Sequence, residues 1–197
     1  MSHSILRSLA IGLLATAALH GPAAAADEAR LWQRLKAGGH VVVMRHAATT
    51  PGVGDPPGFR LGDCATQRNL SPGGRDDAKA AGAAFTRNGV LVGRVLTSRW
   101  CRCADTADLA FGRAEPAEML DSMWQQDDAE RNRKVAAVRR HTATYSEPGN
   151  LVLVTHDVNI RALTGKSVAQ GEMVVAKASA DGSLEVLGTL GVPKPAR

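Results

Sequence analysis

Two short apolar runs, each followed by a histidine, are the sequence feature that most constrains the fold of this chain. Residues 40–44 are His-Val-Val-Val-Met and lead directly into Arg45 and His46. Residues 151–155 are Leu-Val-Leu-Val-Thr and lead into His156. Unbroken apolar, β-branched runs of this length are typical of strands buried on both faces of a parallel sheet. We therefore expect these arginine and histidine side chains at the carboxyl ends of strands, where open α/β sheets place their sites.

A third apolar strand, predicted over residues 94–98, leads into a segment of helical composition that begins at Arg99. Ser98, Arg102 and Thr106 are spaced by four, so they share one face of a helix. Arg102 should therefore point back towards the end of the strand. Two strand-end histidines with arginines beside them indicate chemistry on an anion.

The alternation of strands and helices predicts an α/β fold with a mostly parallel central sheet covered by helices on both faces. The pattern predicts a single domain without internal repeats. Helices are predicted at five places: 27–36, 71–88, from residue 99 onwards, 129–144, and 157–163. Residues 173–178 and 184–190 are predicted to form a closing hairpin. The long Pro- and Gly-rich loop between residues 49 and 70 is of the kind that usually has a function.

Residues 1–26 have the composition of a secretory signal peptide. Arg7 supplies the positive charge, residues 8–19 are apolar, and Ala24-Ala25-Ala26 forms a small-residue cleavage site. The apolar run is shorter than the roughly 20 residues that a membrane span needs. We therefore expect a periplasmic or secreted domain over residues 27–197, with no stable membrane insertion after cleavage.

The three cysteines, Cys64, Cys101 and Cys103, fit an exported protein with one disulfide and one free thiol. Cys101 and Cys103 point to different sides of a helix start, so they are poorly placed to pair with each other. Cys64, in the preceding loop, could reach either. A zinc site is not predicted, because the chain has no CxxC spacing and too few ligands nearby.

The formal net charge of +5 does not indicate a nucleic-acid partner. The cationic residues are scattered, and the one dense cluster, within residues 131–140, lies on a predicted helix that can expose it to solvent. Only three tryptophans, three phenylalanines and one tyrosine are present, too few for the aromatic stacking that single-strand binding requires.

Four motifs resemble those of the histidine phosphatase superfamily, which includes the phosphoglycerate mutases and the histidine acid phosphatases. They occur in the family's order, at residues 45–49, 69–75, 98–107 and 154–160, and they span most of the chain after the predicted signal peptide. Ala47 stands where the family usually has glycine, a change that should leave room for phosphate. The resemblance implies a three-layer α/β/α sandwich, and no metal or other cofactor.

The resemblance also implies roles for five residues, and position in the chain adds a sixth candidate. His46 would attack phosphorus and form a phosphohistidine, while His156 would donate a hydrogen bond to an equatorial oxygen. Arg45 and Arg102 would bind the phosphate oxygens with their guanidinium forks. Thr49 matches the family's small hydroxyl residue after the Arg-His pair. Arg68, just before the helix at residue 71, is a further candidate for contact with the phosphate or the substrate.

The proton donor to the leaving oxygen is open between three carboxylates. In the acid-phosphatase branch the donor directly follows the second histidine, as Asp157 does here, which makes it the first candidate. In the mutase branch a glutamate occurs in a Leu-x-Glu context, but here Leu120-Asp121-Ser122 places serine at that position. Asp121 is the second candidate and Glu172 the third. Asp157 could instead be a helix N-cap, a position that aspartate favours.

The expected function is that of an exported, metal-independent phosphomonoesterase that works through a phosphohistidine intermediate. Sugar phosphates and phosphorylated envelope glycolipids are the expected small-molecule or glycolipid substrates. One alternative is a protein phosphohistidine phosphatase, which export disfavours because phosphorelay proteins lie in the cytoplasm. Another is a non-catalytic pseudo-enzyme that binds phosphate groups. Mutase activity is not expected, because the chain has no large inserted lid.

Overall fold

The computed structural model describes residues 22–193. The helices of this part are α1 (Pro22–Ala37), α2 (Pro72–Arg87), α3 (Cys101–Phe111), α4 (Asp128–Thr144) and α5 (Asp157–Thr164). The strands are β1 (Val41–Arg45), β2 (Val92–Thr97), β3 (Glu115–Pro116), β4 (Asn150–Thr155), β5 (Met173–Ala178) and β6 (Leu184–Leu190). Short 3-10 turns lie at Cys64–Thr66 and Glu118–Leu120.

The six strands form one sheet in the order β3-β2-β4-β1-β5-β6. The four strands β1 to β4 are parallel, because β4 pairs in parallel with both β1 and β2, and β2 pairs in parallel with β3. β5 is antiparallel to β1 and to β6. The mostly parallel sheet and the closing hairpin predicted from the sequence are therefore confirmed.

Helices cover both faces of this sheet, which confirms the three-layer α/β/α sandwich. Alternate residues of β1 enter opposite clusters, as the pleat of a strand requires. Val42 packs on the side of the first three helices, with Leu31 of α1, Phe85 of α2 and Ala107 of α3. Val43 packs on the other side, with Val138 of α4 and Ile160 of α5. Because both faces are covered, β1 is apolar throughout its buried length.

Two glycines of α2 set its distance from neighbouring backbone. A Cβ on Gly82 would lie 1.8 Å from the carbonyl oxygen of Ala110, at the end of α3. A Cβ on Gly74 would lie 1.8 Å from the carbonyl oxygen of Ala48. Only glycine permits these approaches. The second of them seats the first turn of α2 against the segment that follows β1.

The first helix begins earlier than expected, at Pro22 rather than near Asp27, so it crosses the predicted cleavage point. The predicted signal peptide, residues 1–26, lies mainly outside the described residues and stays a prediction. Between residues 22 and 193, no helix is both long and apolar enough to cross a membrane.

A disulfide ties the long loop after β1 to the start of α3. Cys64 is bonded to Cys101, and Cys103 is a buried free thiol. The prediction of one disulfide involving Cys64 and one free cysteine is confirmed, and the choice of partner that the sequence left open falls on Cys101. The loop is therefore anchored beside Arg102, which follows Cys101 directly.

Candidate active site

A cavity of about 730 Å³ lies at the carboxyl edge of the parallel strands, and four residues predicted from the sequence meet there. The four are Arg45, His46, Arg102 and His156, and the candidates Arg68 and Asp157 line the cavity with them. The two imidazole rings have their centroids 5.5 Å apart. His46 and His156 are buried, at 3% and 4% exposure, so the cavity holds them away from bulk solvent.

The sheet itself places the two histidines side by side. Arg45 pairs with Thr155 in the register of β1 and β4, and the amide of His46 donates to the carbonyl oxygen of Thr155 over 2.9 Å. His156 directly follows Thr155, the last residue of β4. Each histidine thus follows the last paired residue of one of two neighbouring parallel strands, where side chains emerge from the sheet edge.

The ring of His46 is held in one orientation and one tautomer. Its Nδ1 lies 2.9 Å from the carbonyl oxygen of Ala47. A carbonyl can only accept, so Nδ1 carries the hydrogen and Nε2 keeps its lone pair. Burial, and then the positive charges of Arg102 and Arg45, lower the pKa of His46 to about 3, against the raising effect of the hydrogen bond to Ala47. His46 is therefore neutral at physiological pH, and its Nε2 lone pair is free.

His156 is held through its Nε2 atom. This nitrogen lies 3.0 Å from Oγ of Ser98 and 3.5 Å from Sγ of Cys103. The single hydroxyl hydrogen of Ser98 can go to this Nε2 or to Oδ1 of Asp121, which is 3.3 Å from the same Oγ. When it goes to the nearer Nε2, the hydrogen of the neutral ring is on Nδ1 and can be donated to an oxyanion. Burial, followed by the charges of His46 and Arg102, lowers the pKa of His156 well below its ordinary value.

Three guanidinium groups line the cavity, and each has a hydrogen-bond donor without a partner among the described residues. Arg45 donates from Nη1 to the carbonyl oxygen of Val168 over 2.7 Å, and Arg68 donates from Nη1 to that of Gly52. The Nε atoms of Arg45, Arg68 and Arg102 are all buried and have no hydrogen-bond partner in the described part of the chain. Buried unpaired donors are costly, so three of them around one cavity indicate a site for an anion with several oxygens.

Thr106 fixes Arg102 relative to His46. Its hydroxyl donates to the carbonyl oxygen of Arg102 over 2.7 Å and accepts from the amide of Ala47 over 3.0 Å. Arg102 and Thr106 are both buried in α3, as their spacing predicted. Ser98 lies just before that helix and is also buried. The hydroxyl thus joins α3, which carries Arg102, to the segment that carries His46.

Two other sequence candidates lie outside the cavity lining. Thr49 accepts a hydrogen bond from Nε2 of Gln170 over 3.1 Å, and it is Gln170 that lines the cavity. The carboxylate of Glu172 accepts from the amide of Ala169 over 2.8 Å. Glu172 therefore belongs to the loop between α5 and β5, and Thr49, which follows β1, contacts that loop through Gln170.

Asp157, the first candidate for the proton donor, lines the cavity but is held by other groups. Its carboxylate accepts from Oγ of Ser167 over 2.8 Å, from the amide of Val168 over 3.0 Å and from Nη2 of Arg161 over 3.0 Å. Burial raises the pKa of Asp157, but the hydrogen bonds from Ser167 and Val168 outweigh it and the net shift is downward. Asp157 is also not an N-cap, because it is the first residue of α5 and His156 is the cap.

Asp121, the second candidate, lies behind the cavity. It is 2% exposed and accepts from the amide of Arg99 over 2.8 Å and from Nε of Arg99 over 2.6 Å. It meets His156 only through Ser98, whose Oγ is 3.3 Å from Oδ1 of Asp121. Its neighbour Ser122, rather than Asp121, lines the cavity.

One acidic residue of the site was not predicted. The carboxylate of Asp55 accepts from Nη1 of Arg102 over 2.7 Å, from Nε1 of Trp100 over 2.9 Å and from the amide of Arg68 over 3.0 Å. Burial raises the pKa of Asp55, but the hydrogen bonds from Arg102 and Arg68 lower it by more than burial raises it, so the net shift is downward. In the sequence Asp55 is one residue of a Gly- and Pro-rich turn, and only the length of its loop indicated a function.

Aromatic side chains form the outer wall of the cavity. The rings of Phe59 and Trp100 have centroids 5.7 Å apart, and Trp100 also meets the ring of His156 edge-on at 5.5 Å. Trp124 lines the same cavity and is 57% exposed. Within residues 22–193, no group of three or more His, Cys, Asp or Glu side chains is placed to hold a metal ion.

Several solved structures share this fold, whereas no protein-family model and no curated protein matches the sequence. The protein histidine phosphatase SixA, solved with tungstate, is 15% identical with a TM-score of 0.55, and the match covers 77% of this chain and 96% of SixA. The alpha-ribazole phosphatase from Shigella flexneri is 16% identical with a TM-score of 0.56, covering 76% of this chain and 96% of that one. The product of an open reading frame from Mycobacterium tuberculosis is 16% identical with a TM-score of 0.59, covering 75% and 94%. At these identities the matches establish the fold.

Proposed function

Because the chain has the fold of the histidine phosphatases, as its motifs predicted, we propose that it is an exported, metal-independent phosphomonoesterase that works through a phosphohistidine. The observation that carries this proposal is the meeting of three arginines and two neutral histidines at one cavity. A phosphomonoester needs its charge neutralised and a nucleophile in line with the leaving oxygen. The cavity residues can supply both.

His46 is proposed as the nucleophile. Its Nε2 attacks phosphorus while the bond from phosphorus to the leaving oxygen breaks and a general acid gives that oxygen a proton, which yields a phosphohistidine and an alcohol. The hydrogen bond from Nδ1 to Ala47 keeps the lone pair on Nε2. Water then attacks the same phosphorus, the bond to Nε2 breaks, and inorganic phosphate leaves.

Arg45, Arg68 and Arg102 are proposed to bind the phosphate oxygens, with His156 donating to an equatorial oxygen. The unpaired Nε donors of the three arginines support this role. SixA was solved with tungstate, a tetrahedral oxyanion, and phosphate has the same shape. Thr49 would contribute through Gln170, which it contacts and which lines the cavity.

The cavity supports a small organic ester as substrate. Its volume of about 730 Å³ is in the range of ligand pockets and exceeds what a phosphate group alone needs. Phe59, Trp100 and Trp124 offer apolar surface next to the charged part. A sugar phosphate or the phosphorylated headgroup of an envelope glycolipid would satisfy both parts.

Export is proposed on two grounds. Residues 1–26 have the composition of a secretory signal peptide. The Cys64–Cys101 disulfide fits an oxidising compartment such as the periplasm. Fractionation of cells that express the full chain, followed by amino-terminal sequencing, should place the protein outside the cytoplasm with Asp27 as its first residue.

The activity is tested with p-nitrophenyl phosphate in the presence of a chelator. We expect hydrolysis that persists in the chelator and is inhibited by vanadate, a mimic of the pentacoordinate state. The His46→Asn variant, purified in the same way, controls for contaminating phosphatases. Activity that disappears on chelation and returns with zinc or magnesium would contradict metal independence.

A panel of substrates then separates the alternatives. The proposal expects turnover of phosphorylated sugars or glycolipids by the wild type and none by His46→Asn. Turnover confined to a phosphohistidine-bearing protein would favour the protein phosphohistidine phosphatase. Tight phosphate binding with no turnover of any ester would show a pseudo-enzyme.

A further inference from the structure

The carboxylate of Asp55 forms an ion pair with the guanidinium of Arg102, one of the groups proposed to bind phosphate. The side chain of Asp55 is 7% exposed and that of Arg102 is 5% exposed, so the ion pair is buried in the wall of the cavity. The long loop that carries Asp55 is fixed on both sides. The Cys64–Cys101 disulfide ties its far end to α3, and Phe59 packs against Trp100.

The other two aspartates of the site differ from Asp55 in their partners. Asp157 is held by Ser167, Val168 and Arg161, and the last of these does not line the cavity. Asp121 is held by Arg99. Neither carboxylate contacts a guanidinium that would bind phosphate. When a phosphate ester binds, Asp157 and Asp121 therefore keep their hydrogen-bond donors. Asp55, by contrast, must compete with the phosphate for the donors of Arg102.

Phosphate binding changes the electrostatic surroundings of Asp55 in one direction. Arg102 must share its donors with the phosphate, so Asp55 loses part of the interaction that favours its ionised form. The phosphate also brings negative charge next to the carboxylate. Loss of a cation and arrival of an anion both favour the protonated acid. Asp55 is thus the cavity carboxylate whose protonation is coupled to the arrival of substrate.

We propose that Asp55 takes up a proton when a phosphate ester binds beside Arg102 and that it donates this proton to the leaving oxygen. This inference rests on the proposed phosphatase activity and adds to it the general acid, a role for which Asp157 was the first of three candidates from the sequence. It also gives the long loop between residues 49 and 70 a catalytic role.

The proposed step balances as follows. Nε2 of His46 forms a bond to phosphorus, the bond from phosphorus to the ester oxygen breaks, and the carboxylic acid of Asp55 transfers its proton to that oxygen. The products are the alcohol, the phosphohistidine and the Asp55 carboxylate. In the second half, that carboxylate takes a proton from the attacking water, and free phosphate leaves as the bond to His46 breaks.

The positively charged groups that face Asp55 come from three elements. Arg102 lies on α3, Arg68 lies on the long loop, and Arg45 lies across the cavity on β1. Asp157 lines the same cavity and carries a second carboxylate. His46 and His156 complete the titratable set, and both are neutral at physiological pH because their pKa values are lowered. A bound phosphate therefore supplies the negative charge to which Asp55 responds.

The first test uses Asp55→Asn with a series of substituted phenyl phosphates and with glycerol phosphate. Asparagine keeps the shape and can still accept from Trp100 and Arg102, but it cannot donate an acidic proton. We expect p-nitrophenyl phosphate, whose leaving group needs no proton, to be little affected. The loss of kcat should grow as the phenol becomes less acidic and reach about 100-fold or more for glycerol phosphate. The alkaline limb of the kcat profile should also disappear.

Asp157→Asn is the matched control, because it removes the other carboxylate that lines the cavity. We expect its dependence on the leaving group to equal that of the wild type. If Asp157→Asn shows the steep dependence and Asp55→Asn does not, the acid is Asp157 and the inference is overturned. Equal losses on all esters for Asp55→Asn would reduce Asp55 to a structural residue, and higher activity on all esters would make it a blocking group.

The second test measures protons directly. Calorimetry of vanadate binding in two buffers of different ionisation enthalpy gives the number of protons taken up. We expect net uptake by the wild type near neutral pH and less uptake by Asp55→Asn. Equal uptake by both proteins would overturn the coupling. Absence of any hydrolysis by the wild type would instead contradict the proposed function, which keeps the two failures distinct.

Discussion

At the scale of single residues, the site combines positive charge with histidines that stay neutral. Three guanidinium groups line the cavity that holds His46 and His156. The same burial and the same cations that would stabilise a bound phosphate disfavour protonation of the imidazoles. One arrangement therefore keeps the imidazole rings neutral and supplies the positive charge that the proposed phosphate site needs.

Replacement of Arg102 by lysine should weaken anion binding selectively. A lysine keeps the charge but loses the planar fork and its fixed donors. Loss of a hydrogen bond to a charged group costs about 1.5–3 kcal/mol, so the inhibition constant of phosphate should rise roughly 10- to 150-fold. Arg99→Lys is the matched control, because Arg99 is paired with Asp121 and is not part of the cavity lining. Equal effects of the two changes would contradict the assigned role.

The low pKa of His46 predicts how stability depends on pH. The folded protein holds this group neutral down to about pH 3, whereas in the unfolded chain it titrates near 6.5. Between these values the unfolded state binds more protons, so stability falls as the pH is lowered from about 6.5. The contribution approaches about 1.4 kcal/mol per pH unit. Urea unfolding at several pH values should show a shallower fall for His46→Asn than for the wild type, and parallel curves would contradict the shift.

At the scale of elements, a close backbone contact positions the first turn of α2 against the segment that follows β1. Gly74→Ala would drive a Cβ into the carbonyl of Ala48, whereas the nearest atom to a Cβ on Gly73 lies 4.0 Å away. Both changes raise helix propensity by the same amount. We expect Gly73→Ala to stabilise by about 0.5–1 kcal/mol and Gly74→Ala to destabilise by about 1–3 kcal/mol, because of overpacking. Urea midpoints of the two variants measure this, and similar values would contradict it.

The disulfide gives a second prediction at this scale. Cys64 and Cys101 are 37 residues apart, so the bond should stabilise by about 3–4 kcal/mol in the chain-entropy model. Cys64→Ser should lower the unfolding free energy by about that amount. Thiol titration of the denatured, unreduced wild type should find one free cysteine, Cys103. Three free thiols would show that the bond does not form.

Most elements could be predicted from the sequence, because their patterns are local. The apolar runs before Arg45 and His156, the Ser71-Pro72 helix start and the final hairpin are all confirmed. The Glu115–Pro116 strand was missed, since two exposed residues carry no periodicity. Asp55 was missed for a different reason. Its partners Arg102 and Trp100 are more than forty residues away in the chain, and no local pattern encodes that contact.

At the scale of the whole molecule, the order of the strands explains why distant motifs form one site. β1 and β4 are neighbours although more than one hundred residues separate them, and β2 flanks β4 on its other side. The three strand ends bring the Arg-His pair, the second histidine and the arginine helix together. The resemblance to the histidine phosphatases implied the three-layer sandwich, and the strand order shows how that sandwich brings the motifs together.

The covalent intermediate tests the central claim most directly. Wild-type enzyme mixed with a labelled aryl phosphate and quenched in alkali, which preserves phosphohistidine, is digested and the labelled peptide is sequenced by mass spectrometry. The account predicts one phosphoryl group on His46, none on His156, and no label in the His46→Asn variant. Steady hydrolysis by the wild type with no labelled enzyme, or with the label on His156, would contradict it.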